Sequence, residues 1–117
     1  MNKAISVGTQ ARLWYWQRIS AMVLALCVVG HLIVIMVAVR GGLSGAEVLA
    51  RTRGNWAFGV FYACFVLACT VHVPIGLMRV AEEWLAWRAR SVVTAAWLFA
   101  AVLGLAGLRA VYAVVMP

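Results

Sequence analysis

Three side chains able to take part in metal or proton chemistry lie inside long apolar stretches: His31, His72 and Arg109. Ionisable groups are costly in a membrane interior, so each of them is a candidate functional residue. Imidazole is a common ligand of metals and of haem iron, and a guanidinium can hold a carboxylate or a phosphate. Hydrogen bonding between packed helices is the structural alternative for either histidine.

His72 has neighbours at spacings that would suit a haem. Gly76 lies four residues on, shares its helix face and removes side-chain bulk there. Arg79 lies on the same face about 10 Å farther along the helix. In a haem site the histidine would ligate iron, the glycine would admit the flat ring and the arginine would meet a propionate. The alternative is a packed histidine, with Gly76 and Pro74 serving helix packing or a kink.

His31 is expected at a different depth from His72. It lies about 20 Å along its apolar run from Arg18, whereas His72 lies about 10 Å from Arg79. Because neighbouring spans would be antiparallel, the two histidines should not clamp one haem within this chain. Either each serves a haem that another chain completes, or one is structural, a role that fits His31 better. Arg109, near the far end of the last run, could reach a lipid phosphate or the propionates of a second haem.

Polar residues also mark the mouth of the first apolar run. Gln17, Arg18 and Ser20 stand there, directly after Trp14 and Trp16. A guanidinium and small polar groups could hydrogen-bond a quinone carbonyl, and an indole could stack on the quinone ring. A plain membrane anchor would carry similar residues, so both interpretations stay open.

The composition indicates the kind of protein that must position these groups. Of the 117 residues, 67% are hydrophobic and 11% are charged, which excludes a soluble domain and a disordered chain. Apolar runs at about 19–39, 56–77 and 91–115 are each long enough to span a membrane. The sequence therefore predicts an all-α membrane protein with three transmembrane helices in a single domain, 1–117. The net charge of +7 indicates contact with lipid rather than with nucleic acid.

Basic residues near the ends of the spans predict their direction. One side would hold six, Lys3, Arg12, Arg18, Arg79, Arg88 and Arg90, and the other three, Arg40, Arg51 and Arg53. The positive-inside rule then places the N-terminus in the cytoplasm. An interfacial aromatic belt is expected on the same side from Trp14, Tyr15, Trp16, Trp84 and Trp87.

Three further predictions concern the two connections between the spans and the cysteines. Residues 82–90 are expected to form a short amphipathic helix on the membrane surface, and Ser44 is expected to start a short helix in the other connection. Cys27, Cys64 and Cys69 are expected to be small buried hydrophobic residues, with no disulfide framework.

Taken in order, these pieces resemble the cytochrome b membrane anchor of the succinate dehydrogenase and fumarate reductase family. The family's first span opens with His-Arg-[Ile/Val]-[Ser/Thr]-Gly, which residues 17–21, QRISA, resemble. Its second span carries His-x-x-x-Gly-[Ile/Leu]-Arg, which residues 72–79, HVPIGLMR, resemble with the arginine one place later. Trp14 stands where the family has a serine associated with quinone, and Gln17 where it has a histidine, so Gln17 or Ser20 would supply the missing donor.

The resemblance implies an electron-carrying anchor in the inner (cytoplasmic) membrane. His72 would be an axial ligand of haem b, beside Gly76 and Arg79, and His31 would ligate a second, outer haem as in two-haem relatives. The quinone site would include Trp14, Gln17, Arg18 and Ser20. The implied partners are a flavoprotein subunit, an iron–sulfur subunit that passes electrons to quinone, and a second membrane anchor. The chain itself, with no flavin, nucleotide or iron–sulfur motif, would be a non-catalytic subunit.

Two other functions fit the same residues. A small transporter or channel subunit could use His31, His72 and Arg109 as a proton or ion relay, and a purely structural anchor would use the histidines only for packing. Coupled transport usually needs a carboxylate inside the membrane, and Glu47, Glu82 and Glu83 all lie outside the predicted spans. This counts against transport.

Overall fold

The computed structural model describes residues 5–116, which form four helices and no strand. They are α1 (Val7–Gly41), α2 (Gly45–Thr52), α3 (Trp56–Trp84) and α4 (Arg90–Val115). In this part of the chain α1, α3 and α4 are the helices long and apolar enough to cross a membrane. The prediction of an all-α membrane protein with three spans is confirmed.

α1 begins well before the predicted start of the first span at residue 19. Ser6 caps it, its side chain accepting a hydrogen bond of 3.2 Å from a backbone N–H one turn on. No proline interrupts the stretch that follows, so one helix continues into the apolar run. Arg12 and Arg18 therefore lie within α1, not before it. Lys3, counted with them, lies outside the described residues.

The predicted surface helix over residues 82–90 is wrong. α3 continues to Trp84, and residues 85–89 form a non-helical connection in which Ala86 has a positive φ of 53°. The prediction treated the polar Glu82 as a surface residue. Its side chain instead lies on the buried face of α3 and is only 5% exposed. Because this face packs against the rest of the bundle, α3 continues beyond residue 77, where the predicted span ended.

The predicted helix after Ser44 is confirmed as α2. The Ser44 hydroxyl accepts from the Glu47 backbone N–H, and the Glu47 carboxylate accepts from the Ser44 N–H at 2.9 Å. These hydrogen bonds hold the pKa of Glu47 below its usual value. Thr52 then donates to the carbonyl of Val114 at 2.8 Å, which fastens α2 to the last turn of α4.

α3 is the central helix and runs antiparallel to both α1 and α4. Its last two turns pack on the start of α4, and the buried core lies at this end of the bundle, here called the N-terminal end. The core residues are Ile75, Met78, Ala81, Val92 and Ala96. The opposite end, here called the α2 end, is capped by α2 and is less tightly filled.

Close contact between α3 and α4 depends on glycines of α4. A β-carbon at Gly107 would lie 2.7 Å from a methyl carbon of Val66, whose β-branched side chain has little freedom to move. We expect Gly107→Ala to lower the free energy of unfolding of the complex in detergent by about 1–3 kcal/mol through overpacking. Gly8→Ala is the control, because a β-carbon there has no atom within 4 Å. Equal midpoints of thermal unfolding for the two variants would contradict the tight contact.

Candidate functional site

His72 of α3 faces α1 and contacts Ser20. Its Nδ1 lies 3.3 Å from the Ser20 hydroxyl, which also lies 2.7 Å from the carbonyl of Trp16 within α1. Ser20 is buried and the histidine is partly exposed. Among residues 5–116 no hydrogen-bond partner meets the other ring nitrogen, Nε2. One side of the imidazole is thus fixed and the other is available to a ligand.

Gln17 lies one turn before Ser20 and faces the glycine beside His72. A β-carbon at Gly76 would lie 3.4 Å from Gln17 Nε2, so the open side of the glycine receives this side chain of α1. The Gln17 carbonyl oxygen, Oε1, is buried and has no hydrogen-bond partner in the described part of the chain. Gly76 therefore lets α1 approach α3 closely at the level of His72.

Arg79 makes an ion pair instead of standing free beside His72. Its guanidinium lies 3.6 Å from the buried carboxylate of Glu82, one turn on in α3. The two side chains, together with Gln10 of α1, line a small cavity of about 10 Å³, a volume that suits a single water molecule.

The four residues predicted to form a quinone site point in two directions. Gln17 and Ser20 face α3, whereas Arg18 and Trp14 lie together on the exposed side of α1. The Arg18 guanidinium lies over the Trp14 indole, 5.3 Å from the ring centroid. The structure thus brings Gln17 and Ser20 to His72 and leaves the other two on the surface of this chain.

A groove between α1 and α3 lies beside Ser20. It has a volume of about 500 Å³ and an almost wholly apolar lining that includes Ser20, Cys64 and Val71. Cys64 is exposed, so the prediction that it is buried is wrong, because the groove leaves its side chain uncovered on one side. Cys27 is buried, Cys69 is intermediate, and all three cysteines are free.

His31 lies in an aromatic cluster of α3 that the sequence analysis missed. Its Nδ1 lies 2.9 Å from the Tyr62 hydroxyl, and its ring meets Phe65 edge-on at 5.8 Å between centroids. Phe61 packs over Gly30, where a β-carbon would lie 2.9 Å from the ring. The spacing of Phe58, Phe61, Tyr62 and Phe65, one helix face at intervals of three and four, is the signal that could have revealed the cluster.

His31 also lines a large groove, the α2-end groove, to which all four helices contribute. Its volume is about 850 Å³, and its polar lining residues are His31, Arg51, Thr52, Asn55 and Tyr62. The Arg51 guanidinium donates to the carbonyl of Gly42 at 2.6 Å. Arg109 does not line the groove. It is exposed, with its guanidinium 5.9 Å from the Tyr112 ring.

The two histidines lie at different levels of the bundle, as the sequence predicted. His72 faces Ser20, and His31 faces Tyr62. Ten residues of α3 separate these levels, which is about 15 Å along the helix. The two histidines therefore cannot be the two axial ligands of one haem within this chain.

Comparison with known families supports the membrane assignment. A family model described as the succinate dehydrogenase/fumarate reductase transmembrane subunit matches residues 2–108. The chain belongs to this family. No curated protein and no solved structure matches it.

As a member of the transmembrane-subunit family, the chain is a multi-pass membrane protein and a subunit of a succinate dehydrogenase or fumarate reductase complex. The match spans His31, His72 and the quinone candidates of α1, and it stops one residue before Arg109. The resemblance seen in the sequence is thereby confirmed at the level of the family.

Proposed function

We propose that this transmembrane subunit binds haem b through His72, contributes to a quinone site, and passes electrons between an iron–sulfur subunit and membrane quinone. The observation that carries the proposal is that only one of the two ring nitrogens of His72 has a hydrogen-bond partner in the described part of the chain. Its Nδ1 is held by Ser20, and no group among residues 5–116 occupies Nε2. Nε2 of a histidine held in this way is a suitable ligand for haem iron.

The surroundings of His72 fit a haem shared between chains. The groove of about 500 Å³ beside Ser20, whose lining includes Val71, the neighbour of His72 in α3, offers an apolar surface toward which a macrocycle would extend. Gly76 keeps α1 close enough for Ser20 to hold the imidazole. A haem in this place would carry one electron at a time. Because His31 lies about 15 Å away along the bundle, the opposite ligand belongs to a second membrane-anchor chain, which is part of the proposal.

The quinone site is proposed at Gln17. A buried carbonyl oxygen without a partner is costly, and the hydroxyl of a quinol is a donor that would satisfy Gln17 Oε1. Arg18 and Trp14, on the exposed side of the same segment, are available to the quinone headgroup where it enters from the lipid. Arg12 and Trp16 are exposed as well, on other faces of α1, and together with Trp14 they would dock the soluble subunits.

Gln17→Leu tests the quinone site. We expect the KM for quinone to rise about three- to tenfold, the effect of losing one hydrogen bond, while electron transfer from succinate to a soluble dye stays unchanged. Gln10→Leu is the matched control, since it makes the same exchange two turns earlier in α1. A normal KM in Gln17→Leu, or the same rise in both variants, would contradict a quinone contact at Gln17.

We propose that the N-terminal end of the bundle faces the cytoplasm and carries the flavoprotein and iron–sulfur subunits. Six basic residues precede the apolar part of α1 or lie near the α3–α4 connection. At the α2 end there are four, which are Arg40, Arg51, Arg53 and Arg109. This excess has the sign that the positive-inside rule requires. The corresponding location is the inner (cytoplasmic) membrane.

A second haem is proposed in the α2-end groove. Its volume of about 850 Å³ lies within the range of sites that hold prosthetic-group-sized ligands. His31 would supply the imidazole, and Arg51, which also lines the groove, is placed to meet a propionate. In this proposal Arg51 takes the place of Arg109, which does not line the groove.

A reduced-minus-oxidised absorption spectrum of the purified complex tests the proposed function. We expect the bands of a b-type cytochrome in an amount stoichiometric with this chain. A transporter subunit with a His31–His72–Arg109 relay, or a purely structural anchor, would give no such bands. Their absence from the intact, active complex would therefore refute the haem proposal and favour one of these alternatives.

A further inference from the structure

The hydroxyl of Ser20 has three polar neighbours and only one hydrogen to donate. The oxygen lies 2.7 Å from the carbonyl of Trp16, 3.1 Å from that of Gln17 and 3.3 Å from Nδ1 of His72. Carbonyl oxygens can only accept. The serine hydrogen therefore points back to the preceding turn of α1, as serine hydroxyls in helices commonly do.

The direction of the Ser20 hydrogen determines how Ser20 and His72 interact. With its hydrogen directed to the backbone, the Ser20 oxygen can only accept a hydrogen bond from the imidazole. Nδ1 of His72 must then carry the ring hydrogen. A neutral imidazole has one such hydrogen, so Nε2 is left with a lone pair and no proton.

We infer that Ser20 is a positioning residue for His72, one that fixes the tautomer and the ring orientation in which Nε2 can bind haem iron. The inference rests on the proposed function of His72 and changes the predicted role of Ser20, from a quinone contact to a support of the haem ligand. Such supporting hydrogen bonds also raise the electron density of the ligand. Ser20 should therefore stabilise oxidised over reduced iron.

His31 provides an internal comparison, because its ring hydrogen is expected on the other nitrogen, Nε2. The hydroxyl of Tyr62, 2.9 Å from Nδ1 of His31, has no second acceptor among the residues that the structure describes. A phenol is a good donor and a bare imidazole nitrogen a good acceptor, so Tyr62 donates and Nδ1 of His31 accepts. The hydrogen of His31 then lies on Nε2. The two histidines of this chain are thus expected as opposite tautomers.

The haem potential of the intact complex gives the first test. In Ser20→Ala we expect the equilibrium to shift about three- to tenfold toward reduced iron, where tenfold corresponds to 59 mV for one electron. Ser20→Thr keeps a hydroxyl that can donate to the backbone and should restore the potential. Thr70→Val is the matched control, because the Thr70 hydroxyl also donates to its own helix, at 2.8 Å from the carbonyl of Val66, but faces α4.

Nitrogen NMR of isotope-labelled histidine in the haem-free full chain in lipid bilayers gives a second test. We expect Nδ1–H at His72 in the wild type, Nε2–H at His31, and loss of the His72 preference in Ser20→Ala. Finding His72 as the Nε2–H tautomer would overturn the inference even if Ser20→Ala did not assemble. An unchanged haem potential in a fully loaded Ser20→Ala complex would overturn it as well. A wild-type complex without haem would instead refute the proposed function, and the tautomer would still decide whether Ser20 orients the ring.

Discussion

Replacing His72 with glutamine is expected to remove the b-type haem that this chain shares at the N-terminal end of the bundle. The reduced-minus-oxidised spectrum should lose those bands completely, because the opposite ligand alone holds the haem weakly. The glutamine amide can still donate to the Ser20 oxygen, which lies 3.3 Å from Nδ1 of the native ring. The contact between α1 and α3 should therefore survive, and the complex should still assemble.

His31→Gln is the matched control for this experiment, since it makes the same exchange in a different span. It should leave the His72 haem in place, with its spectrum and potential unchanged. Full haem absorption per complex in His72→Gln would refute His72 as the ligand. Recovery of the bands in His72→Gly on addition of free imidazole would show that the loss concerned the iron ligand and not the fold.

The spans and the levels of the histidines could be predicted because they depend on length alone. Apolar runs of the required length give α1, α3 and α4, and a rise of 1.5 Å per residue places His31 and His72 at separate depths. The ends of the helices could not be predicted in the same way. They depend on a cap at Ser6 and on the packing of Glu82 against the bundle, neither of which is visible in hydropathy.

The misplaced helix ends explain why the site was only partly predicted. Once α1 begins near residue 7, Gln17 and Ser20 are centred roughly a third of a turn around the helix from Trp14 and Arg18. A start at residue 19 hid this division, so all four were grouped as a quinone site. Similarly, the ion pair between Arg79 and Glu82 could not be predicted, because Glu82, one turn on, was expected in a surface connection.

The α2-end groove could not have been predicted from one segment, because all four helices contribute to it. α1 brings His31, α3 brings Tyr62, and α2 brings Arg51 to the same space. The sequence showed Arg51 only as one of three basic residues in a connection. Its place on the groove wall depends on the capped start of α2 and on the hydrogen bond from Thr52 to the last turn of α4.

Haem stoichiometry is expected to separate the roles of the two histidines. A pyridine haemochrome assay should give two haems per complex in the wild type and one in His31→Leu. The leucine removes the imidazole that faces the groove of about 850 Å³ and leaves the His72 site untouched, about 15 Å away along the helices. The haem that remains should keep the spectrum and potential of the His72 haem.

The hydrogen bond between Tyr62 and His31 predicts that the second haem, at His31, is bound more weakly than the haem at His72. For Nε2 of His31 to bind iron, its hydrogen must move to Nδ1. The Tyr62 hydroxyl, which lies 2.9 Å from Nδ1 and is inferred to donate to it, must then turn to accept. Tyr62→Phe removes this competing donor, so it should keep two haems and should slow the loss of the second haem in detergent. Ser20 imposes no such rearrangement on His72. One haem per complex in the wild type, unchanged in His31→Leu, would contradict the second site and leave His31 as a structural partner of Tyr62.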